Sequence, residues 1–366
     1  MQLSPSFNSS PARVAVIGGG LSGAACAAGL ARADAQVTVF EKSRNVGGRM
    51  ATRRARWLDT EGKEQSVSFD HGAQSFTAVR PRFKAVIARA MAAGCAAEWK
   101  PNVHATWPGM SGNRVVSVTT MPALCGHLVA GSTVHFECTV RRLQRSSDGS
   151  WYVVADGMPV AGPFDQVAIA MPPAQAAVLV AGHHDRWADA LMAKRMEACW
   201  TLMAVTDDVD WPWDAAEPEH GPLAWVMRND RVPGRTAPPG LAVWTAHATA
   251  EWSAAHLEAE PQAVCASLQS SLRSLLPTVL RGNAPARWHH AAVHRWRHAW
   301  PAAEGNNSLD GDGFLWDDSL GLGICGDYLA GSGVEAAWHS GDELADCMAA
   351  LLEQEEGTPR VAATAR

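Results

Sequence analysis

Lysine, tyrosine and long apolar segments are scarce or missing in this sequence of 366 residues. Only five residues are lysine and two are tyrosine, whereas 16 are tryptophan. No segment approaches the roughly 20 consecutive apolar residues that a membrane-spanning helix needs, so we expect no membrane association. The formal net charge is −6, which gives no electrostatic reason to expect a nucleic-acid partner.

The eight cysteines form no C-x-x-C motif and no closely spaced pair. Contexts such as GAACAAG and LGICGD predict small buried apolar residues and argue against a thiol mechanism. The opening residues, MQLSPSFNSSPAR, lack the basic start and the apolar core of a secretory signal, and we interpret residues 1–12 as a disordered tail. These features together predict a reduced, cytoplasmic protein.

Three consecutive glycines separate a predicted strand from a predicted helix near the start of the chain. The apolar run RVAVIG ends at Gly18, and an Ala- and Leu-rich helical pattern begins at Leu21. Gly18, Gly20 and Gly23 fit the G-x-G-x-x-G pattern of dinucleotide-binding proteins. The first glycine permits a tight turn, the second lets a pyrophosphate approach the backbone, and the third allows the helix to pack closely on the strand.

A second predicted strand, QVTVFEK, ends in Glu41, 18 residues after Gly23. A carboxylate at that place can accept hydrogen bonds from ribose hydroxyls. Gly47, Gly48 and Arg49 follow, where a plain NAD-binding unit would continue into another helix. The planar guanidinium of arginine can bind a phosphate with two hydrogen bonds. This segment resembles the G-G-R extension of FAD enzymes in the flavin amine oxidase superfamily.

Two further segments resemble parts of the same superfamily. The first, VSFDHGAQSFTA, resembles the segment that passes alongside the isoalloxazine ring. The second, GLGICGDYLAGSGVEAAWHSGDELA, is predicted to form a short strand, a glycine-rich loop and a helix from about Val334. The resemblance implies that Asp327 binds the ribityl chain, that Val140 lies beside the adenine, and that the helix points its N-terminus at the flavin pyrimidine ring. A helix N-terminus stabilises the negative charge of reduced flavin.

The cofactor implied by this resemblance is FAD, bound without a covalent link. The residues predicted to bind it are Gly18, Gly20, Leu21, Ser22, Gly23, Glu41, Lys42, Gly48, Arg49, Met50, Gly72, Ala73, Gln74, Val140, Met171, Gly326, Asp327, Gly333, Val334 and Glu335.

The fold implied is α/β: a Rossmann-type FAD-binding domain with an inserted mixed-sheet α+β substrate domain, in the topology of amine oxidases and p-hydroxybenzoate hydroxylase. We predict that residues 13–85, 120–175 and 315–366 form the FAD-binding domain. Residues 86–119 and 176–314 are then the substrate domain. Within it, the Pro- and Gly-rich stretch RVPGRTAPPG is predicted to be a surface loop.

A closer resemblance is to bacterial renalase-like flavoproteins. The units GGRM, DHGAQSFTA, AWVMRND, VWTAHATAEWS, HRWRHAWPA and GICGDYLAGSGVEAAWHSG occur in the same order as in that family, between about Arg13 and Ala350. The family implies an oxidase that takes a hydride from isomeric (2- or 6-) dihydroNAD(P), regenerates NAD(P)+ and reduces O2 to H2O2. We expect this small-molecule substrate and O2 as partners, and a monomer. The chain departs from the family at His298, where Tyr is usual, and at Gly333, where Arg is common.

The candidate catalytic residues on the substrate side are His247, Trp296, Arg295 and Asn229, with Trp225 beside them. His247 is interpreted as orienting the nicotinamide carboxamide or a ribose, not as a general base. Trp296 is either a wall of the cavity or ordinary core, and Arg295 pairs either with a substrate phosphate or with an acidic surface residue.

The cluster His289, His290, His294 and His298 raises the question of a metal site. Three of these residues have i, i+4, i+8 spacing, which would bring them together only on a helix. The stretch RWHHAAVHRWRHAW is compatible with either a strand or a helix. Because no carboxylate or cysteine ligand stands nearby, no metal is expected.

Two other functions remain open. One is a different oxidase or dehydrogenase of the amine oxidase superfamily, acting on an amine or an unsaturated small molecule; the other is a non-catalytic flavoprotein. Amine oxidation commonly uses tyrosine faces and a water held by lysine, and this chain has few of either residue. A dihydropyridine needs no strong base when it loses a hydride. The composition therefore favours the dihydronicotinamide substrate.

Overall fold

The computed structural model describes residues 10–104, 113–209, 211–276, 286–302 and 312–356. Its strands are β1 (Arg13–Ile17), β2 (Gln36–Phe40), β3 (Thr52–Leu58), β4 (Glu64–Asp70), β5 (Ala96–Trp99), β6 (Val103–His104), β7 (Arg114–Ser117), β8 (Thr133–His135), β9 (Val140–Arg145), β10 (Trp151–Ala155), β11 (Ala161–Phe164), β12 (Gln166–Ile169), β13 (Met196–Asp207), β14 (Ala215–Ala216), β15 (Leu223–Arg228), β16 (Leu241–Ala248), β17 (Trp288–Pro301), β18 (Phe314–Asp317) and β19 (Leu322–Cys325).

Its α-helices are α1 (Leu21–Arg32), α2 (Pro81–Ala92), α3 (Ala123–Leu128), α4 (Pro173–Val180), α5 (Asp185–Met192), α6 (Ala250–Ala255), α7 (Pro261–Leu275), α8 (Asp327–Ala330) and α9 (Val334–Glu356). None of these described helices combines the length and the apolarity needed to cross a membrane. Most of the predicted tail, residues 1–9, lies outside the described part of the chain.

A six-stranded sheet in the order β18-β19-β12-β1-β2-β8 contains the predicted first strand at its centre. Neighbouring strands are parallel except at the β18–β19 pair. The four residues Val14–Ile17 are almost completely buried, which explains why β1 is a continuous apolar run with no polar alternation. The predicted Rossmann-type sheet is therefore confirmed.

Helix α9 packs against α1 at two glycines. A Cβ atom added to Gly341 would overlap the carbonyl oxygen of Ser22, and a Cβ on Gly29 would lie 2.5 Å from the Cβ of Ala345. Only glycine permits this approach. Arg32 and Asp342 add an ion pair of 3.0 Å at the edge of the contact.

A second six-stranded sheet has the order β17-β13-β16-β15-β14-β6 and is mostly antiparallel. One face of this sheet packs on helix α7 through a core that includes Trp244 and Leu268. The other face carries the β3–β4 hairpin, where Val67 and Phe69 pack on Met203 and Val205. The predicted mixed-sheet substrate region thus has one face covered by a helix and the other turned toward the N-terminal hairpin.

The stretch from Ser132 to Gly157 is only partly the hairpin that its alternation suggests. Strands β9 and β10 pair in antiparallel fashion, and Gly149 turns between them with a φ of +90°. The first alternating residues form β8, which joins the edge of the parallel sheet beside β2. Alternation alone cannot distinguish these two pairing partners.

Candidate active site

The glycine turn after β1 leaves no room for side chains. Gly18 has a φ of +108°, and a Cβ on it would overlap the carbonyl oxygen of Ala170. A Cβ on Gly23 would overlap the carbonyl oxygen of Gly18, so α1 sits directly on the turn. Gly20, in contrast, has only Gly48 nearby, at 3.9 Å from its added Cβ. The space between Gly20 and Gly48 is bare backbone on both sides, as a bound pyrophosphate requires.

Glu41 lies where a ribose acceptor is predicted and is held in place by two backbone groups. Its Oε2 accepts a hydrogen bond of 2.7 Å from the Gly19 amide, and its Oε1 accepts one of 2.7 Å from the Ser43 amide. The residue is buried, with 5% of its surface exposed. Because a carboxylate has about four lone-pair sites, both oxygens can still accept ribose hydroxyls.

Arg49 and Asp327 are predicted to contact different parts of FAD, but the structure joins them in an ion pair. Nη1 and Nη2 of Arg49 donate to the two carboxylate oxygens of Asp327 at 2.8 and 2.6 Å. Arg49 also donates to the carbonyl oxygen of Ala299, at the end of β17. Its side chain remains 34% exposed, so one side of the guanidinium faces solvent. The pair links three distant segments at the predicted cofactor site.

The segment after β4 packs directly on the Gly-Gly-Arg loop. The Ala73 amide donates to the carbonyl oxygen of Arg49 at 2.8 Å, and a Cβ on Gly72 would overlap that same oxygen. Met50 is buried beneath the loop. Gln74 is also buried, and its Oε1 has no hydrogen-bond partner in the described structure. An unpaired buried amide oxygen is unusual, and a ligand donor would satisfy it.

The other predicted cofactor residues divide into three groups. Leu21 and Ser22 form the first turn of α1, with Lys42 following Glu41. Val140 and Met171 lie in or against the core under β1, and Met171 contacts the Gly18 turn. At the other end of the chain, the Gly326 amide donates to Ser340, while Gly333, with a φ of +94°, leads into Val334 at the start of α9.

Glu335 is the exception among these residues. Its carboxylate accepts hydrogen bonds from the backbone amides of Val79 and Arg80, and Arg80 caps α2. These contacts give Glu335 a structural role at the start of α2, whereas the cofactor contact predicted for it has no support from its side chain.

His71 joins the segment after β4 to the second sheet, and it is not among the residues selected from the sequence. Its carbonyl oxygen accepts hydrogen bonds from Nε1 of Trp296 at 2.9 Å and from Oγ1 of Thr201 at 3.0 Å. Nε2 of His247 lies 3.4 Å from the same oxygen. The His71 ring stacks on Trp296 with a centroid distance of 5.1 Å and meets His294 edge-on at 4.8 Å. One carbonyl therefore orients several predicted substrate-side groups.

Strand register explains this grouping. Thr201 on β13 pairs with His247 on one side and with His294 on the other, and Trp225 pairs with His247 in turn. Paired residues in adjacent strands present their side chains on the same face. The row Trp225–His247–Thr201–His294 therefore crosses four strands on the face turned toward His71. We call this row, together with His71 and Trp296, the substrate face.

The histidines of the substrate face are neutral at physiological pH. The pKa of His71 is lowered to about 3, mainly by burial, with contributions from the neighbouring His294 and from the charge of Arg53. Burial also lowers the pKa of His247 to about 4. The pKa of His294 is lowered by burial and by Arg53. A group with a pKa near 4 is a weak base at pH 7, which agrees with an orienting role for His247.

Two of the predicted catalytic residues have other partners. Nδ2 of Asn229 donates to the carbonyl oxygen of Ser68, and its Oδ1 accepts from the Asp70 amide, so this buried amide fastens the hairpin to the second sheet. Arg295 is on the opposite face of β17 from Trp296 and pairs with Glu258 at 3.1 Å. The second alternative for Arg295, an acidic surface partner, is the one observed. Asn229 thus acts from outside the substrate face, and Arg295 is bound on the far face of β17.

The sequence reasoning also missed an ion pair behind His71. Asp70 accepts a hydrogen bond of 2.9 Å from Nε of Arg235 and one of 2.6 Å from Oγ1 of Thr52. Arg235 belongs to the stretch RVPGRTAPPG, and only 8% of it is exposed, which corrects the prediction of a surface loop at this position. Its Nη1 donates to the carbonyl oxygen of Ser117.

The histidine cluster lies on a strand, not on a helix. Because a strand rises about 3.4 Å per residue, His290 and His294 are about 14 Å apart along β17. His289 is on the other face of β17, and its Nε2 donates to Oδ1 of Asp207 at 2.7 Å. In the described residues, no group of three or more His, Cys, Asp or Glu side chains has the geometry to hold a metal ion.

Two models of known protein families match the chain. Residues 110–349 match the model of the flavin containing amine oxidoreductase family, and residues 16–90 match that of the NAD(P)-binding Rossmann-like domain. The chain belongs to the flavin containing amine oxidoreductase family. It is an FAD-dependent oxidoreductase. The glycine turn, Glu41 and Arg49 remain the residues predicted to contact the cofactor.

Solved structures show the same fold at low sequence identity. Putrescine oxidase bound to putrescine has 14% identity and a TM-score of 0.58, with 93% of this chain and 99% of that chain covered. A triple mutant of putrescine oxidase, from a redesign of cofactor binding, has 13% identity and a TM-score of 0.62, with 93% and 99% covered. An oxidoreductase from Methanosarcina mazei has 13% identity and a TM-score of 0.57, with 91% and 100% covered.

Proposed function

We propose that this FAD-dependent oxidoreductase takes a hydride from isomeric (2- or 6-) dihydroNAD(P) and transfers the electrons to O2. The balanced reaction consumes the dihydronicotinamide, O2 and one proton, and it yields NAD(P)+ and H2O2. When bound, FAD supplies the hydride acceptor and the reaction with O2. The residues of the chain bind the substrate, orient it and exclude water.

The observation that carries this proposal is the neutral, aromatic character of the substrate face. Its ring-bearing residues are three neutral histidines and two tryptophans, which present flat surfaces against which a nicotinamide ring can stack. A dihydropyridine becomes an aromatic pyridinium when it loses a hydride, so no side chain has to remove a proton. Positioning is then the main contribution of the protein to the rate.

The charges around the substrate face favour an anionic substrate over a cationic amine. Burial is the largest cause of the lowered pKa values of His71 and His298. The charge of Arg53 adds to the lowering at His71, and those of Lys42, Arg49 and Arg297 add to it at His298. Asp70, Asp327 and Glu258 are each paired with an arginine, so their charges are compensated. A diamine is cationic at neutral pH, because aliphatic ammonium groups have pKa values of about 10.4. A dinucleotide carries phosphates of the opposite charge.

The supporting contacts on the substrate face also fit an orienting mechanism. The Nε2 atoms of Gln74 and His247 lie 3.5 Å apart, and the Gln74 Oε1 is unpaired. An amide oxygen can accept from the amino group of a carboxamide, and an imidazole N–H can donate to its carbonyl oxygen. We infer that Gln74 and His247 hold the nicotinamide carboxamide. Trp296 and His71 form the adjoining wall.

Anaerobic mixing of the FAD-loaded protein with a panel of substrates tests this function. We expect 2- or 6-dihydroNAD(P) to bleach the flavin absorbance within seconds, and putrescine and simple amines to leave it unchanged. Ordinary 4-dihydro NADH should react much more slowly, because its hydride would be displaced from the acceptor position. Rapid bleaching by an amine, with none by the dihydronicotinamide isomers, would assign the protein to amine oxidation.

A further inference from the structure

A second set of aromatic and cationic side chains lies beside the substrate face, along β17. The His290 ring stacks against Trp57 at a centroid distance of 5.9 Å and against Phe69 at 6.0 Å. Strand pairing places Arg53 opposite Phe69 in the β3–β4 hairpin. Because side chains alternate along a strand, Arg53 and Trp57 are on the same face of β3, the face that Phe69 shares. We call Arg53, Trp57 and His290 the distal cluster.

Arg53 has a charge without a partner. Its side chain is exposed, and in the described structure it makes no hydrogen bond and no ion pair. Arginines with such exposure usually point into solvent, away from other cationic or titratable groups. Arg53 instead lies near His71, His290 and His294, whose pKa values its charge lowers. It is therefore an exposed cation near the substrate face.

Trp57 also has a polar group without a hydrogen-bond partner. Its indole Nε1 is buried and has no acceptor in the described structure. An unpaired buried donor is uncommon, and here it means that no hydrogen bond fixes the ring in place. An acceptor atom on a bound ligand would satisfy this donor.

The distal cluster and the substrate face are separated by a definite length. His290 and His294 lie in a regularly paired part of β17, opposite Val205 and Thr201, and are about 14 Å apart. An extended dinucleotide can bridge this length with one base at each end, whereas a mononucleotide cannot. Arg53, on β3, is close enough to both His290 and His294 for its charge to act on each ring.

We propose that the distal cluster is the subsite for the adenosine diphosphate half of a dinucleotide substrate. Arg53 binds the pyrophosphate, for which a planar guanidinium can form two parallel hydrogen bonds. The adenine stacks on His290 and Trp57. This proposal rests on the proposed function, and it adds that the enzyme selects dinucleotides over mononucleotides through these three residues.

The hairpin supplies a matched control for Arg53. Arg54 is the next residue, is equally exposed, and pairs with Ser68 on the opposite face of β3. Arg53→Gln and Arg54→Gln therefore remove the same charge from the same strand. Only the first removes it from the distal cluster.

The FAD-loaded protein and both variants should be compared with two substrates, 6-dihydroNAD and the corresponding dihydronicotinamide mononucleotide. In Arg53→Gln we expect the KM for the dinucleotide to rise about tenfold, with the KM for the mononucleotide changed less than about twofold. Arg54→Gln should match the wild type with both substrates. Trp57→Ala should likewise weaken only the dinucleotide.

Calorimetric titration of the same FAD-loaded proteins with ADP-ribose gives a readout independent of turnover. We expect Arg53→Gln to raise the Kd about tenfold and Arg54→Gln to leave it unchanged. Equal effects of the two variants, or equal effects of Arg53→Gln on both substrates, would overturn the subsite while leaving the proposed function in place. Failure of both substrates to bleach the wild-type flavin would overturn the proposed function, and the subsite with it.

Discussion

Arg235 places its Nε 2.9 Å from Oδ2 of Asp70, and Nη2 lies 2.8 Å from the same oxygen. The Asp70 side chain is completely buried, and 2% of the Arg235 side chain is exposed. Asp70 is the residue before His71, whose carbonyl orients the substrate face. This ion pair therefore joins a loop of the second sheet to the segment predicted to run alongside the flavin.

Replacing Arg235 with methionine should strongly destabilise the protein, because it leaves a buried carboxylate without its counter-charge. We expect the free energy of unfolding to fall by about 3–5 kcal/mol, measured by urea denaturation at pH 7.5. The exposed Arg54→Met is the control and should change it by less than about 0.5 kcal/mol. A loss below about 1 kcal/mol for Arg235→Met would mean that the pair is unimportant for stability.

The pH dependence of that loss follows from the pKa of Asp70. Burial raises this pKa and the Arg235 charge opposes the rise, so removal of Arg235 should raise it further. A carboxylate whose pKa is raised by folding destabilises the folded state while it is ionised. This destabilisation disappears when the pH falls below the raised pKa and the group is protonated. The deficit of Arg235→Met should therefore shrink as the pH falls from 7.5 to 5, in unfolding curves recorded at each pH. A deficit that grows instead would contradict this assignment.

Glu41→Arg should weaken FAD binding, since it removes the ribose acceptor and the two backbone contacts of the carboxylate. Purified variant protein should show flavin occupancy well below that of the wild type. Occupancy is measured as the ratio of the flavin absorbance, at about 450 nm, to the protein absorbance, at about 280 nm. Glu61→Arg, in the exposed turn of the β3–β4 hairpin, makes the same charge change and should retain full occupancy. Equal occupancy in both variants would contradict the placement of the adenosine half.

Asp327→Ala should lower FAD affinity by about 1.5–3 kcal/mol, the range for a hydrogen bond to a charged group. The ion pair with Arg49 offers a second route to the same loss, because an unpaired Arg49 could change its position. A double-mutant cycle with Arg49→Ala separates the two. A loss in Asp327→Ala that disappears in the Arg49→Ala background indicates action through Arg49, and a loss that persists indicates direct contact with the ribityl chain. Wild-type affinity in both backgrounds would contradict the prediction.

His247→Ala should slow anaerobic flavin reduction about 10- to 100-fold through poorer orientation of the substrate. The pH profile between 6 and 9 should keep its shape, because a pKa of about 4 leaves this histidine neutral throughout that range. His289→Ala, on the other face of β17, is the control for loss of a histidine. Loss of a pH-dependent limb in His247→Ala alone would show that His247 is the base after all.

FAD should be released when the protein is precipitated with acid, leaving a yellow supernatant. The described cysteines beneath the parallel sheet are poor nucleophiles, since burial raises the pKa of Cys125 to about 12 and that of Cys26 is raised by Cys325 and burial. Yellow colour that stays with the pellet would demonstrate a covalent link.

The parts that could be predicted from the sequence are those with a local pattern. Fewer than about 30 residues contain the first strand, the glycine turn, the helix, the second strand and Glu41. The Gly18 turn has the geometry that its motif implies. The family and the cofactor follow from the same local units. His71 could not be selected in this way, because its contribution comes from a main-chain carbonyl and from rings on β17 that are distant in sequence.

The sequence could not predict which distant residues form ion pairs, or which side chains share one face of a strand. Asp70 and Arg235 are separated by 165 positions, and the proline-rich surroundings of Arg235 are typical of solvent-exposed loops. For Arg295 and Trp296, the roles depend on whether the segment is a strand or a helix, which its composition left open. Once β17 is a strand, alternation sends Trp296 to His71 and Arg295 to Glu258.

The packing of α9 on α1 also bears on how the protein is made. Synthesis proceeds from the N-terminus, and the glycine face of α1, at Ser22 and Gly29, has no cover until Gly341 and Ala345 have emerged. Asp327 likewise reaches Arg49 only after nearly 280 intervening residues have been translated. The nucleotide half of the flavin site is thus encoded first and completed last. We therefore expect FAD to bind stably only after the C-terminal segment has been synthesised.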